Sequence, residues 1–158
     1  MEKTVVFVRH TEAQAPEEQS EEAKRALTEK GKADAKKIAR SIKPILKDEK
    51  LIENSRRMGL YFLERLKTLE RHPIVGEARG TGLWAALELT TDKTTHAPFP
   101  QTSLTRIVDR AREKGMIIKA MNMALEFAPP LIIGKADIDE AVRILDGCLS
   151  DEEKTLGL

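Results

Sequence analysis

From Leu83 to Leu89 the side chains alternate. Leu83, Ala85, Leu87 and Leu89 fall on one side, and Trp84, Ala86 and Glu88 on the other. An extended backbone imposes a period of two, so this stretch predicts an antiparallel strand with one face on a core. Ile74 to Arg79 predicts a second strand before it, and Gly80-Thr81-Gly82 a flexible connection between the two. Another pair is predicted at Met116 to Ala120 and Ala124 to Ala128. Met121-Asn122-Met123 is read as its hairpin turn, and Pro129-Pro130 stops the second arm. A sheet of such pairs presents one apolar face, and the rest of the chain must cover it.

Helical periodicity supplies the cover. Asp48 to Leu69 predicts a long amphipathic helix, with Leu51, Ser55, Met58, Phe62, Leu66 and Leu69 on one stripe, closed by His72-Pro73. A helix starting near Thr102 or Ser103 turns Leu104, Ile107, Val108 and Ala111 inward, with Gly115 just past its end. Asp137 to Leu149 predicts the last helix, striped by Ile138, Ala141, Val142, Leu145, Cys148 and Leu149. The acidic tail from Ser150 is predicted to fray. Upstream, Thr4 to Val8 reads as a short buried strand. A helix capped by Thr28 follows, carrying Ala35, Ile38, Ala39 and Ile42, and Pro44 is predicted to end or kink it. The predicted fold class is α/β. It is a two-layer sandwich of mostly antiparallel sheet with helices on one face, plus an added N-terminal strand and helix.

Composition narrows the function classes. Twenty-seven basic residues against 26 acidic ones leave a net charge of +1, which exerts no global pull on nucleic acid or anionic lipid. The apolar run Val5 to Val8 is too short for a signal peptide or a membrane span. The expected compartment is therefore the cytoplasm, with neither nucleic acid nor membrane as a partner. The single cysteine, Cys148, permits no internal disulfide, and its inward position predicts an inert buried thiol. His10, His72 and His96 lack metal-ligand spacing.

Three segments carry a resemblance. They are Glu53-Asn54-Ser55 with Met58-Gly59, the run Val75 to Leu83 with Leu87-Glu88-Leu89, and Ala128-Pro129-Pro130-Leu131-Ile132-Ile133 before Asp137-Ile138-Asp139. In order and interval, residues 46–149 resemble the C-terminal small domain of class-III, pyridoxal-phosphate-dependent aminotransferases. The first forty or so residues resemble the opening of the histidine phosphatases, closest to the phosphohistidine phosphatases. That match rests on Val5-Val6-Phe7-Val8-Arg9-His10-Thr11 and Arg25-Ala26-Leu27-Thr28-Glu29-Lys30-Gly31. Residues 1–45 are thus expected as a phosphatase-like strand, loop and helix, and 46–158 as the aminotransferase-like part, together one compact unit. With nothing Gly- or Ser-rich at the join, the chain reads as a fragment or chimera.

What the two resemblances imply for chemistry differs. Class-III enzymes place the Schiff-base lysine, the acid facing the pyridine nitrogen and the phosphate site on a large domain, so no cofactor is expected in this chain. The small domain adds a wall of the substrate pocket. Some relatives carry a carboxylate-binding arginine in the hairpin before the Pro-Pro turn. The corresponding places here hold Lys119 on one arm and Glu126 on the other. Lys119 is the candidate substrate ligand, as a point charge without an arginine's fork, and Glu126 would repel a carboxylate. The plain alternative is a solvated strand lysine. Arg79 with Gly80-Thr81-Gly82 is read as backbone geometry, because a strand rather than a helix follows. In the phosphatase resemblance, His10 would attack phosphorus and Arg9 would hold phosphoryl oxygens. No second histidine fits, since His72 follows Arg71 and His96 follows Thr95. Three readings compete. One is a noncatalytic module descended from an aminotransferase, another a hydrolase acting through His10, and the last a recombined or engineered fold without activity. A symmetric homodimer is expected through whatever apolar face the missing large domain once covered.

Overall fold

The computed structural model describes residues 28–158. The chain divides into two compact units, Met1–Leu51 and Ile52–Leu158. In the first, α1 spans Glu29–Asp48. Thr28 caps it as predicted, its hydroxyl accepting from the Gly31 N–H at 3.0 Å. Pro44 does not end the helix. It stands on an exposed turn, where water can take the carbonyl that loses its donor, and helical bonding resumes as Glu49 N–H donates to the Ile45 carbonyl at 3.1 Å. The predicted strand at Thr4 to Val8 lies outside the described residues.

The second unit carries the sheet. Helix α2 spans Leu51–Lys67 and tightens into a 3₁₀ turn over Thr68–Arg71. Met58, Phe62, Leu66 and Leu69 recur at three and four residues, and all are buried. Strands β1 (Val75–Thr81), β2 (Trp84–Leu89), β3 (Lys119–Met121) and β4 (Ala124–Phe127) form one antiparallel sheet in the order β1-β2-β4-β3. The alternation reads true. Ala85, Leu87 and Leu89 are buried with Leu83 before them, whereas Trp84 is 66% exposed. Helices α3 (Gln101–Glu113) and α4 (Lys135–Leu156) close the core with Leu104, Ile107, Val142, Leu145 and Leu149. Phe62 and Phe127 meet edge to face, with centroids 5.7 Å apart. The predicted mixed α/β class with a mostly antiparallel sheet holds for this unit.

Local outcomes differ from the sequence reading, each for a physical reason. Gly80 and Thr81 are not a flexible link; they belong to β1, and the turn is Gly82-Leu83 alone, closing Thr81 onto Trp84. Gly82 takes φ +54 at the first turn position, where a side chain is strained. A Cβ on Gly59 of α2 would lie 2.1 Å from the Gly82 carbonyl oxygen, so helix and turn touch backbone to backbone. The strand predicted at Met116 to Ala120 shrinks to Lys119–Met121. Asn122, at φ +54, makes the turn a two-residue one that pairs Met121 with Ala124. Lys119 then pairs with Glu126, near the end of β4, and Met116–Ile118 find no strand partner. Helix α3 starts at Gln101 rather than Thr102 or Ser103, because the Pro100 carbonyl accepts from Ser103 and Leu104. The Ser103 hydroxyl accepts from Arg106 instead of capping.

The tail predicted to fray from Ser150 is helical to Leu156. Glu152 is fully buried there and takes ion pairs from Arg106 and Arg110 of α3. Gly157, at φ +77, then ends the helix in the left-handed conformation. Among the described residues no helix is long and apolar enough to cross a membrane.

Candidate functional site

The sheet covers its apolar face with helices and leaves the other open. Across the open face one transverse rung runs Arg79, Ala86, Glu126, Lys119, each the register partner of the next. Small side chains on this face, Ala86 and Ala124, floor an open hollow of about 670 Å³ that Trp84, Met121 and Glu88 border. A second hollow of about 620 Å³ lies where β4 leaves the sheet for Pro129-Pro130. Its lining is mainly apolar, from Phe62, Met116, Phe127, Ile133 and Ile144, and Trp84, Lys119 and Glu126 border it as well. The Pro-Pro loop is fixed by Asn54, whose amide donates to the Leu131 carbonyl at 2.7 Å and the Ile133 carbonyl at 3.1 Å.

Most charges near these hollows are already engaged. The Arg79 guanidinium donates to Glu77 at 2.7 Å and to Glu88 at 2.8 Å. His96 lies 2.6 Å from Glu88. Hydrogen bonds from His96 first, then from Arg79, hold the Glu88 carboxyl below the usual carboxylate range. Arg79 is thereby committed within the sheet, in line with a backbone role for the glycines after it. Lys119 and Glu126 are different: among the described residues neither enters an ion pair with another group. The structure therefore brings together the two charged residues that the hairpin reading picked out. His10 and Arg9 lie outside the described residues.

Sequence reasoning missed two charged constellations. His72 is 5% exposed. Its Nε2 lies 2.7 Å from Asp146 and its Nδ1 2.9 Å from Glu153, both on α4. Arg71 also donates to Asp146. No sequence signal marks this, because the partners lie more than seventy residues downstream. The Glu152 seam had a faint one: Arg106 and Arg110 sit four apart, on one face of α3. Burial pushes the Glu152 carboxyl up, but hydrogen bonds from Arg106, Ser103 and Arg110 outweigh it and hold the group below its ordinary range. Both sets tie helices together and face neither hollow. Burial also raises the Cys148 thiol, as an inert buried cysteine requires.

The class-III aminotransferase family matches residues 7–149, and the chain belongs to that family. The match takes in residues 7–45, part of the stretch expected to be phosphatase-like. The taurine–pyruvate aminotransferase of Bilophila wadsworthia is 36% identical over 122 residues, which cover 72% of this chain and 27% of that protein. The putrescine–pyruvate aminotransferase of Pseudomonas aeruginosa is 36% identical over 107 residues, covering 66% of this chain and 24% of that one. Among solved structures, the omega transaminase of Pseudomonas jessenii in complex with PMP superposes with a TM-score of 0.68 at 36% identity, covering 72% of this chain and 26% of that one. The chain thus spans about a quarter of the length of the relatives it matches.

The family works with pyridoxal phosphate, and the described residues do not fit its anchoring. A Schiff-base lysine needs a sheltered pocket, yet every lysine from Lys30 to Lys154 is exposed. Among the described residues Lys119 is the one lysine that borders the second hollow, and none borders the first. Among the described residues no buried side-chain nitrogen or oxygen lacks a partner, so no orphaned polar cradle is held open for a phosphate. No step through the cofactor follows from these residues.

Proposed function

We propose that residues 46–158 act as the C-terminal domain of a pyridoxal-phosphate-dependent aminotransferase and supply one wall of a site where amino groups are transferred. Lys119 is the contact for a substrate carboxylate, and the 158-residue chain is not catalytically competent by itself. The supporting observation is the position of Lys119, free of ion pairs among the described residues, on the rim of an apolar hollow beside the Pro129-Pro130 loop. Amino transfer to a ketoacid in the presence of added pyridoxal phosphate tests the reading. The purified chain should give no rate above buffer and no Schiff-base absorbance that survives dialysis. Steady ketoacid turnover, or a band that borohydride reduces onto one lysine, overturns it.

Two further features belong to this proposal. The open sheet face with its exposed Trp84 supports a symmetric homodimer, covering what a large domain covers in longer relatives. A mass by light scattering that stays monomeric as concentration rises counts against that. The N-terminal motifs support a second reading: a chimera whose first 45 residues descend from a phosphohistidine phosphatase, with His10 as nucleophile and Arg9 as phosphoryl ligand. Equal, near-zero phosphatase rates for the wild type and His10→Ala would remove it.

A further inference from the structure

Charge is distributed unevenly along this chain. Helix α1 carries seven basic residues against three acidic ones, so a whole-chain charge of +1 leaves the remainder net acidic. The pattern on α1 is as informative as the count. Ile38, Ile42, Ile45 and Leu46 fall on one side of the helix and are half-buried. Lys32, Lys36, Arg40, Lys43 and Lys47 recur at steps of three or four, so they stack into one stripe turned away from those residues, and all are exposed. At 1.5 Å per residue the stripe is about 22 Å long. Lys32 is held by Glu29 at 2.6 Å. Lys36, Arg40, Lys43 and Lys47 enter no ion pair among the described residues.

What the stripe lacks selects its partner. No large apolar side chain stands among the cations, and the isoleucines of α1 are turned away and half-buried, so nothing is free to insert into a bilayer. No aromatic residue occurs on α1 to stack an unpaired base. A protein partner is held by aromatic or aliphatic anchors, which the stripe also lacks. A duplex backbone needs none of these, because it offers about one phosphate charge per 1.7 Å of axis. A helix with its side chains is about 10–12 Å across, close to the ~12 Å major groove of B-form DNA, whereas the major groove of duplex RNA is deep and narrow. We propose that α1 binds double-stranded DNA without sequence preference, through phosphate contacts from Lys36, Arg40, Lys43 and Lys47. Net acidity elsewhere in the chain directs the duplex to this helix. The whole-chain balance averages the stripe away, so an expectation drawn from net charge sets nucleic acid aside. The inference is independent of the reading of Lys119.

The test uses the full chain and a fluorescein-labelled DNA duplex of mixed sequence, read by fluorescence anisotropy between about 50 and 200 mM salt. Four phosphate contacts should give a slope of about −4 in log affinity against log salt, a loss of about a hundredfold over that range. Arg40→Gln combined with Lys43→Gln should lower the slope by about two and weaken binding at the low-salt end by about tenfold. Glutamine is a good helix former, and circular dichroism confirms that the variant folds. Arg56→Gln combined with Lys67→Gln removes the same charge from exposed positions outside α1 and should change affinity by less than about twofold. A duplex that fails to bind at low salt, or a control pair that weakens binding as much as the α1 pair does, overturns the proposal. So does a single-stranded oligonucleotide, or a duplex RNA of the same length, that binds as tightly as the DNA duplex. If phosphatidylserine-containing vesicles retain the chain through α1 and the duplex does not, the stripe serves a lipid surface and the DNA site falls.

Discussion

Two glutamates of this domain show opposite uses of a charge. Glu152 is fully buried between α3 and α4, paired with Arg106 and Arg110. Glu126 stands half-buried on the open side of the sheet, with a lysine across the strand and no ion pair among the described residues. A buried carboxylate is tolerated only when its lone pairs are filled, so Glu152 is bound to the cohesion of the helical layer. A half-exposed one keeps its water, and nothing in the fold depends on it. The helical layer uses its charges internally; on the open sheet face Arg79 and Glu88 pair with one another, while Lys119 and Glu126 enter no ion pair among the described residues.

Removing each carboxylate should separate the two uses most sharply. Glu152→Ala strands two arginines beside a new void, and breaking such a pair costs about 3 kcal/mol, the lower end of the usual range because both arginines reach solvent. Urea unfolding followed by far-ultraviolet circular dichroism measures it. A loss no larger than that of a surface substitution would break the contrast.

A smaller effect is expected where α2 meets the first hairpin. The Cβ of Gly59→Ala would lie within 2.5 Å of three Gly82 backbone atoms. The turn must move, at a cost of about 1–3 kcal/mol for overpacking. Because that turn leads into Trp84, the change should also shift the tryptophan emission, which Glu152→Ala should leave in place. An unshifted spectrum with unchanged stability would show that the hairpin is not held by this contact.

Acid provides a graded version of the comparison. Glu152 and Glu88 both have carboxyls lowered in the folded state. Their contribution is complete above the ordinary glutamate range and is lost as pH falls through their depressed folded values. Stability should therefore decline from about pH 4 downward, and Glu152→Gln should flatten that decline. An equally steep acid limb in the variant would assign the loss to other groups.

The sheet was legible because its signal is local. Alternation at Leu83 to Leu89 is a two-residue property, and no distant contact can reverse it without turning every side chain over. The helical stripes were legible for the same reason. What escaped depends on partners far along the chain. Helix α4 continues past Ser150 because Glu152 meets arginines more than forty residues upstream, and His72 is buried because α4 brings two carboxylates to it. At the candidate site the hairpin placed Lys119 and Glu126 on opposite arms, but their register needed the left-handed Asn122, which shortens the turn by one residue. The residue types were in the sequence, and the rung they form was not.

The smallest expected effect is the most discriminating for the open face. Glu126→Gln and Lys119→Ala, singly or together, should each change stability by less than about 0.5 kcal/mol, as surface substitutions away from caps and buried networks do. If the two groups were paired for stability, the double variant would show a coupling energy, and a double-mutant cycle in urea reads it directly. A coupling near zero leaves Lys119 available to a substrate carboxylate. A coupling of 1 kcal/mol or more, as in a network that rigidifies the hairpin, would make Glu126 resemble Glu152 and close the site that the rung describes.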